Sequence, residues 1–325
     1  MSQLDSLLVL PRPLEVDGRH YIEAPSESEF ADQFGALDPA PDFLTSALGT
    51  TAYYRLHPQN TAPEIQTQRV LFIHGLGTPA VGLLPLVRRL KASNPNIDVL
   101  LYDLWGHGLS QTPLVPHVPA LFHSQILDLL HHINWPSAHV VGYSFGGTAA
   151  VSFTSFHPEA VKSLAIVAPA GLLRSGDLTE EEQLMIRGGP GLEDRARDWA
   201  LEFSEGGPLV VPEDWKERVR RGDFVAEAIR SWERIHHRGH VASVTAMVRD
   251  GNVFDGHDAY VQVARTETKK LAVLGELDDL CSVKDLESVG WRDTVVVNGA
   301  GHGLVRANVD EVAALLEEFW GSPSP

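Results

Sequence analysis

Six consecutive residues, Gly142-Tyr143-Ser144-Phe145-Gly146-Gly147, carry the strongest chemical signal in the chain. They follow the strand-like run His139-Val140-Val141 and lead into a helical run over 148–156. A serine between glycines at a strand-to-helix turn is lifted above the sheet edge, because glycine permits a sharp turn that a Cβ would obstruct. The helix N-terminus behind it favours negative charge and so suits an oxyanion forming beside the serine. The plainer alternative is a glycine-rich turn carrying an ordinary surface serine.

A serine hydroxyl is a weak nucleophile until a base takes its proton. Of fifteen histidines, His302 in Gly299-Ala300-Gly301-His302-Gly303 lies just beyond the final strand-like run and before the last helix. Residues that follow the carboxyl ends of parallel strands share one edge of the sheet, so Ser144 and His302 can meet. The imidazole in turn needs a carboxylate to hold its tautomer and support its cation. Gly275-Glu276-Leu277-Asp278-Asp279 offers three, of which Asp278 is expected to serve, with Asp279 and then Glu276 behind it. The loop Ala168-Pro169-Ala170-Gly171 contributes no acid. Ser144, Asp278 and His302 therefore form the candidate catalytic set, suited to acyl transfer.

Elements able to position these residues are legible in the apolar pattern. The runs 70–73, 99–102, 139–142, 164–167, 271–274 and 294–297 are continuous and apolar, as strands buried on both faces of a parallel sheet are. Between them, Leu83, Leu86, Val87 and Leu90 form a helical stripe. Phe122, Ile126, Leu129 and Ile133 form a second, stopped by Pro136, and Val309, Val312, Leu315, Leu316 and Phe319 form a third. The alternation predicts an α/β fold, a mostly parallel sheet flanked by helices. Tyr21-Ile22 and Thr51-Ala52-Tyr53-Tyr54 are expected as antiparallel edge strands, with 24–42 looping between them.

The alternation breaks over 172–237, which has helical stretches but no convincing strand. Thr179-Glu180-Glu181-Glu182 has the form of a capping box, Gly188-Gly189-Pro190-Gly191 ends that helix, and Pro212 precedes another. The expected organisation is a core of residues 1–171 and 238–325 with a helical cap over 172–237. Trp199, Trp215 and Trp232 fall in this cap and are candidates to line a substrate pocket.

The 325 residues carry a formal charge of −17, which disfavours attraction to phosphate backbones, so no nucleic-acid partner is expected. A single cysteine, Cys281, excludes an intrachain disulfide and is read as a packing residue. His236-His237-Arg238-Gly239-His240 matches no common zinc spacing and is read as a polar hinge between cap and core; no metal is expected. The N-terminus shows no basic leader, and Leu7-Leu8-Val9-Leu10 is short and closed by Pro11. No apolar stretch is long enough for a membrane span, and a cytoplasmic location is the expectation.

Four motifs together resemble the α/β-hydrolase superfamily, specifically its capped serine esterases and lactonases. They are His74-Gly75-Leu76-Gly77, Asp103-Leu104-Trp105-Gly106-His107-Gly108-Leu109-Ser110, the Ser144 turn, and the late Asp278 and His302. The resemblance implies that the backbone N–H groups of Leu76 and Phe145 form the oxyanion hole. It implies that the 103–110 turn, with His74 and His107, is architectural, and that no cofactor is needed for a small-molecule substrate. Epoxide hydrolases and haloalkane dehalogenases carry aspartate where Ser144 stands, and the epoxide enzymes use cap tyrosines, of which 172–237 has none. Carbon–carbon bond hydrolases commonly carry Asn before the serine and Trp after the histidine, where this chain has Tyr143 and Gly303. Cleavage of a carboxylic ester or lactone of a small, largely apolar substrate is thus expected first. A C–C bond hydrolase acting on a β-diketone or vinylogous substrate is the alternative, followed by a non-catalytic ligand-binding fold.

Overall fold

The computed structural model describes residues 20–60 and 67–321; the Leu7-Leu8-Val9-Leu10 run lies outside them. The strands are β1 (Tyr21–Ile22), β2 (Asp42–Ser46), β3 (Gly49–Leu56), β4 (Arg69–Ile73), β5 (Asp98–Tyr102), β6 (Thr112–Pro113), β7 (Ala138–Tyr143), β8 (Val161–Val167), β9 (Lys269–Gly275) and β10 (Thr294–Val297). Eight of them form one sheet in the order β10-β9-β8-β7-β4-β5-β3-β2. Neighbours from β10 to β5 run parallel, while β3 and β2 are antiparallel additions at the edge.

Parallel strands buried on both faces divide their side chains between two cores by simple alternation. Leu71, Ile73, Leu100, Tyr102, Val140, Leu164, Ile166, Ala272 and Leu274 face one core, with Phe122, Ile126, Phe153 and Tyr260 from helices Pro119–His132, Phe145–Phe156 and His257–Ala264. Val70, Phe72, Val99, Leu101, Val141, Ala165, Val167, Leu271 and Val273 face the other, against Leu86, Leu90, Val312 and Leu316 of helices Leu84–Ser93 and Val309–Gly321. Each fully buried side chain of this size contributes about 1.5–3 kcal/mol, so the strand register is set many times over.

Expectations for the N-terminal region need correction: Thr51–Tyr54 lies in β3, one strand in from the edge. Tyr21-Ile22 does not join the main sheet. It pairs antiparallel with Thr112–Pro113 in a separate two-stranded ribbon, because β2 takes the edge of the main sheet through a tight hairpin, Ser46 opposite Gly49. The stretch 24–42 is not all loop, since it contains helix Glu27–Phe34. Ser26 Oγ accepts the Glu29 N–H, and the Glu29 carboxylate accepts the Ser26 N–H, a reciprocal cap that satisfies two orphan donors.

Between β8 and β9 lie helices Glu180–Arg187, Glu193–Glu205, Trp215–Arg220, Ala226–His236 and His240–Asp250, then His257–Ala264, which packs on Phe145–Phe156. The Thr179–Glu182 capping box is formed, and glycine ends the helix after Arg187. Helix His240–Asp250 packs against Glu193–Glu205.

Candidate active site

Ser144 stands between β7 and helix Phe145–Phe156 with φ 55° and ψ −120°. A non-glycine residue in this region is strained and persists only where its surroundings over-determine it. Here Ser144 N–H donates to Val167 O at 3.0 Å, and Ser144 O accepts from Gly147 N–H at 2.9 Å and Ala170 N–H at 3.1 Å. A Cβ on Gly142 would strike the Gly146 carbonyl, and one on Gly146 would strike the Ile73 carbonyl, so both flanking positions require glycine.

β9 and β10 end at the same sheet edge, and their following loops bring the other two candidates to Ser144. Ser144 Oγ lies 3.0 Å from His302 Nε2, and His302 Nδ1 lies 3.0 Å from Asp278 Oδ2. With Nδ1–H donated to the carboxylate, Nε2 is free to accept the serine proton. The Asp278 side chain is 2% exposed and that of His302 38%, so the acid is sealed while the base faces the site. Asp278 Oδ1 also accepts the Leu280 N–H at 3.2 Å. The competing acids are engaged elsewhere or turned out: Glu276 accepts the Gly299 N–H at 2.7 Å, and Asp279 is exposed.

The turn after β4 packs directly on the serine. His74 Nδ1–H donates to Gly75 O at 2.7 Å, and His74 Nε2 accepts the Leu104 N–H at 2.8 Å. The Gly75 carbonyl and the Leu76 N–H belong to one planar trans peptide, so holding the carbonyl aims the amide the opposite way. Among the described residues neither the Leu76 nor the Phe145 N–H has a protein acceptor. This arrangement can present two donors to an anion beside an activated hydroxyl.

The family model described as alpha/beta hydrolase fold matches residues 68–243, more than half of the chain. The chain belongs to the α/β-hydrolase fold family. It is 26% identical over 262 residues to a pimeloyl-[acyl-carrier protein] methyl ester esterase of Xanthomonas campestris pv. campestris, covering 77% of this chain and 94% of that one. It is 30% identical over 112 residues to a Caulobacter sp. (strain K31) protein named for carbamate hydrolysis, covering 34% of this chain and 41% of that relative. The crystal structure of an enol-lactonase from Burkholderia xenovorans LB400 superposes with a TM-score of 0.63 at 18% identity, covering 86% of this chain and 100% of that one. This last likeness is one of fold.

In this α/β-hydrolase the 103–110 turn lies beneath the site. Asp103 is buried and accepts from Ala80 N–H, Leu109 N–H and the Tyr54 hydroxyl; burial nevertheless raises its pKa to about 6. Burial lowers His74 to about 4 and holds His107 well below the ordinary histidine value. The His236–His240 segment reaches this same turn: His237 Nε2 donates to Ser110 O at 2.9 Å and His240 Nδ1 to Gly106 O at 2.8 Å. Among the described residues no group of three His, Cys, Asp or Glu side chains could hold a metal ion. No helix there is long and apolar enough to cross a membrane. Cys281 is buried, which pushes its thiol up to about 12.

The three tryptophans occupy two different places. Trp199 stacks on Phe203 at 5.4 Å and packs on the core cluster that contains Phe145 and Leu172. Trp232 is buried edge-on to Phe30 at 5.4 Å and Phe34 at 5.9 Å, and Trp215 lies 5.8 Å from Phe34. Three further side chains, to which the sequence pattern assigns no role at the site, are Tyr143, Arg306 and Glu233. The Tyr143 hydroxyl donates to the His302 carbonyl at 3.1 Å, and the Arg306 guanidinium lies 5.4 Å over the Tyr143 ring. Glu233, fully buried in helix Ala226–His236, accepts the Gly108 N–H at 2.6 Å. A glutamate inside an amphipathic helix carries no local mark of such burial.

Proposed function

We propose that this chain hydrolyses a carboxylic ester or lactone of a small, largely apolar substrate through an acyl-enzyme on Ser144. His302 Nε2 takes the Ser144 proton as Oγ attacks the carbonyl carbon. The Leu76 and Phe145 N–H groups stabilise the tetrahedral oxyanion. Collapse expels the alcohol, which receives the proton from His302. Water then enters, gives its proton to His302 and attacks the acyl carbon; release of the acid returns the proton to Ser144 Oγ. Asp278 holds the imidazole and supports its cation. No cofactor takes part in these steps.

A helical cap over 172–237, continued by helix His240–Asp250, covers the site in this reading. Trp199 is its substrate-facing aromatic, while Trp215 and Trp232 pack the cap against helix Glu27–Phe34. The observation that carries the proposal is the chain of two 3.0 Å contacts linking Ser144, His302 and Asp278. The ester hydrolysis named for the Xanthomonas relative agrees with it.

The test is a fluorophosphonate reaction followed by peptide mass spectrometry, beside a panel of esters, lactones and β-diketones. Labelling of Ser144, loss of labelling in Ser144→Ala, and turnover of esters or lactones are expected. An adduct on another residue, or cleavage of the diketones alone, would overturn it.

A further inference from the structure

Gly77 follows the oxyanion donor Leu76, and its own N–H is not free. It donates to His107 Nε2 at 3.1 Å, from the turn that follows β5. His107 Nδ1–H donates to Trp105 O at 3.1 Å, so both ring nitrogens are committed and the tautomer is determined. Two successive peptides are thereby held by two imidazoles, Gly75–Leu76 through His74 and Leu76–Gly77 through His107. Because each peptide is planar, these two bonds together restrain both dihedrals of Leu76. They leave the amide little freedom to swing away from the reacting carbonyl.

The His107 ring is fully buried, and burial, with His240 and His74 nearby, keeps it neutral at neutral pH. Nε2 therefore remains an acceptor. The turn that carries His107 is gripped from the helical segment by a row of side chains reaching its backbone. Ser243 Oγ, hydrogen-bonded to His117 Nε2, lies 3.0 Å from Trp105 O, His240 Nδ1 donates to Gly106 O, and Glu233 accepts from Gly108 N–H. The His240 ring also stands edge-on to His107, 4.7 Å between centroids. A Cβ on Gly106 would collide with Ser243, so the approach is close enough to demand glycine.

We propose that His107 is a positioning residue for the oxyanion turn, and that Glu233, His240 and Ser243 use it to couple the seating of the cap to the aim of the Leu76 amide. The proposal rests on the reading of Ser144 as nucleophile and Leu76 as oxyanion donor. It places a determinant of rate outside the three reacting side chains. It also makes the chemistry sensitive to cap contacts that never touch substrate.

The experiment compares His107→Asn with His107→Gln. Asparagine puts its amide where Nδ1 stands and keeps the Trp105 bond but cannot reach Gly77; glutamine extends an acceptor to the Nε2 position. Turnover of p-nitrophenyl butyrate and the rate of fluorophosphonate labelling are measured on full-length protein, with circular dichroism and melting for each variant. His107→Asn should lose about 10²-fold in kcat and labelling rate with KM within about threefold, comparable to removing an oxyanion donor. His107→Gln should stay within about tenfold of wild type. Equal rates in two folded variants, or an effect confined to KM, would overturn the proposal. If His107→Asn does not fold, a folded His107→Gln more than a hundredfold slower than wild type overturns it. Ser144→Ala separates the two levels. Retained turnover there sinks the nucleophile reading and this inference with it, whereas a dead Ser144→Ala beside equal His107 variants sinks the inference alone.

Discussion

Gly75 is packed so tightly on Ser144 that a Cβ at position 75 would lie 2.8 Å from Ser144 Cβ and 3.3 Å from its Oγ. The turn that presents the Leu76 amide and the turn that presents the hydroxyl are thus in direct contact, and neither can shift alone. Gly75→Ala should force them apart by a fraction of an ångström to an ångström. A misplacement of that size costs about 10²-fold in rate. Turnover and fluorophosphonate labelling, with circular dichroism unchanged, are the measurements; a variant that keeps half the wild-type rate would contradict the contact.

Asp278 and Asp279 are adjacent in sequence and opposite in environment. Asp278 faces His302 Nδ1 from a sealed position, whereas Asp279 is exposed. Asp278→Asn should misorient the imidazole and strip its cation of support, a loss that reaches ~10⁴ in turnover. Asp279→Asn should keep most of its activity. A dead Asp279 variant beside an active Asp278 variant would reassign the acid.

Stability should fall as the solution is acidified from neutrality. Burial holds His74, His117 and His237 at about 4, His240 at about 3 and His107 well below the ordinary value of 6.5. Between pH 6.5 and 4 the unfolded chain therefore binds protons that the native one refuses, and their contribution is lost as pH falls through the folded values. Asp103, raised to about 6, and Glu233, also raised, act oppositely: their contribution is full below the ordinary carboxylate range and lost as pH rises through the folded values. His123 and His139, also at about 4, join the first set and Asp250, raised by burial, the second, so seven groups outweigh three. Urea midpoints at pH 7.5, 6.5, 5.5 and 4.5 should decline below 6.5 by more than one linked proton, about 1.4 kcal/mol per pH unit for each. A flat or rising series over that window would show these histidines are not buried neutral.

The tryptophans should divide by place. Trp232→Ala removes a buried ring from the contact with Phe30 and Phe34, and should cost about 3–5 kcal/mol of stability while leaving the ranking of ester substrates intact. Trp199→Ala should change relative rates among esters of different acyl bulk. Chemical denaturation and an ester panel test both, and an unaltered ranking in Trp199→Ala would make that residue packing only.

What the sequence by itself determined about this protein is local. A glycine on each side of Ser144 encodes the strained turn, because the carbonyls that forbid a Cβ at Gly142 and Gly146 are brought close by the turn and the strand beside it. Continuous apolar runs encode strands buried on both faces, and parallel strands necessarily put their following loops on one edge. The meeting of Ser144, Asp278 and His302 there was accordingly legible. A capping box at Ser26–Glu29 is equally present in the sequence, and it marks helix Glu27–Phe34 inside the stretch expected to be loop. Tertiary structure alone decided which surfaces the inserted helices meet. Glu233 reaches Gly108 across 125 residues of chain, and Trp232 lies under Phe30 rather than beside Trp199. Helical periodicity says that one face is apolar; it does not say against what. That choice is made by the summed burial of many distant contacts, and with it the setting of Asp103, His107 and His240 beneath the site.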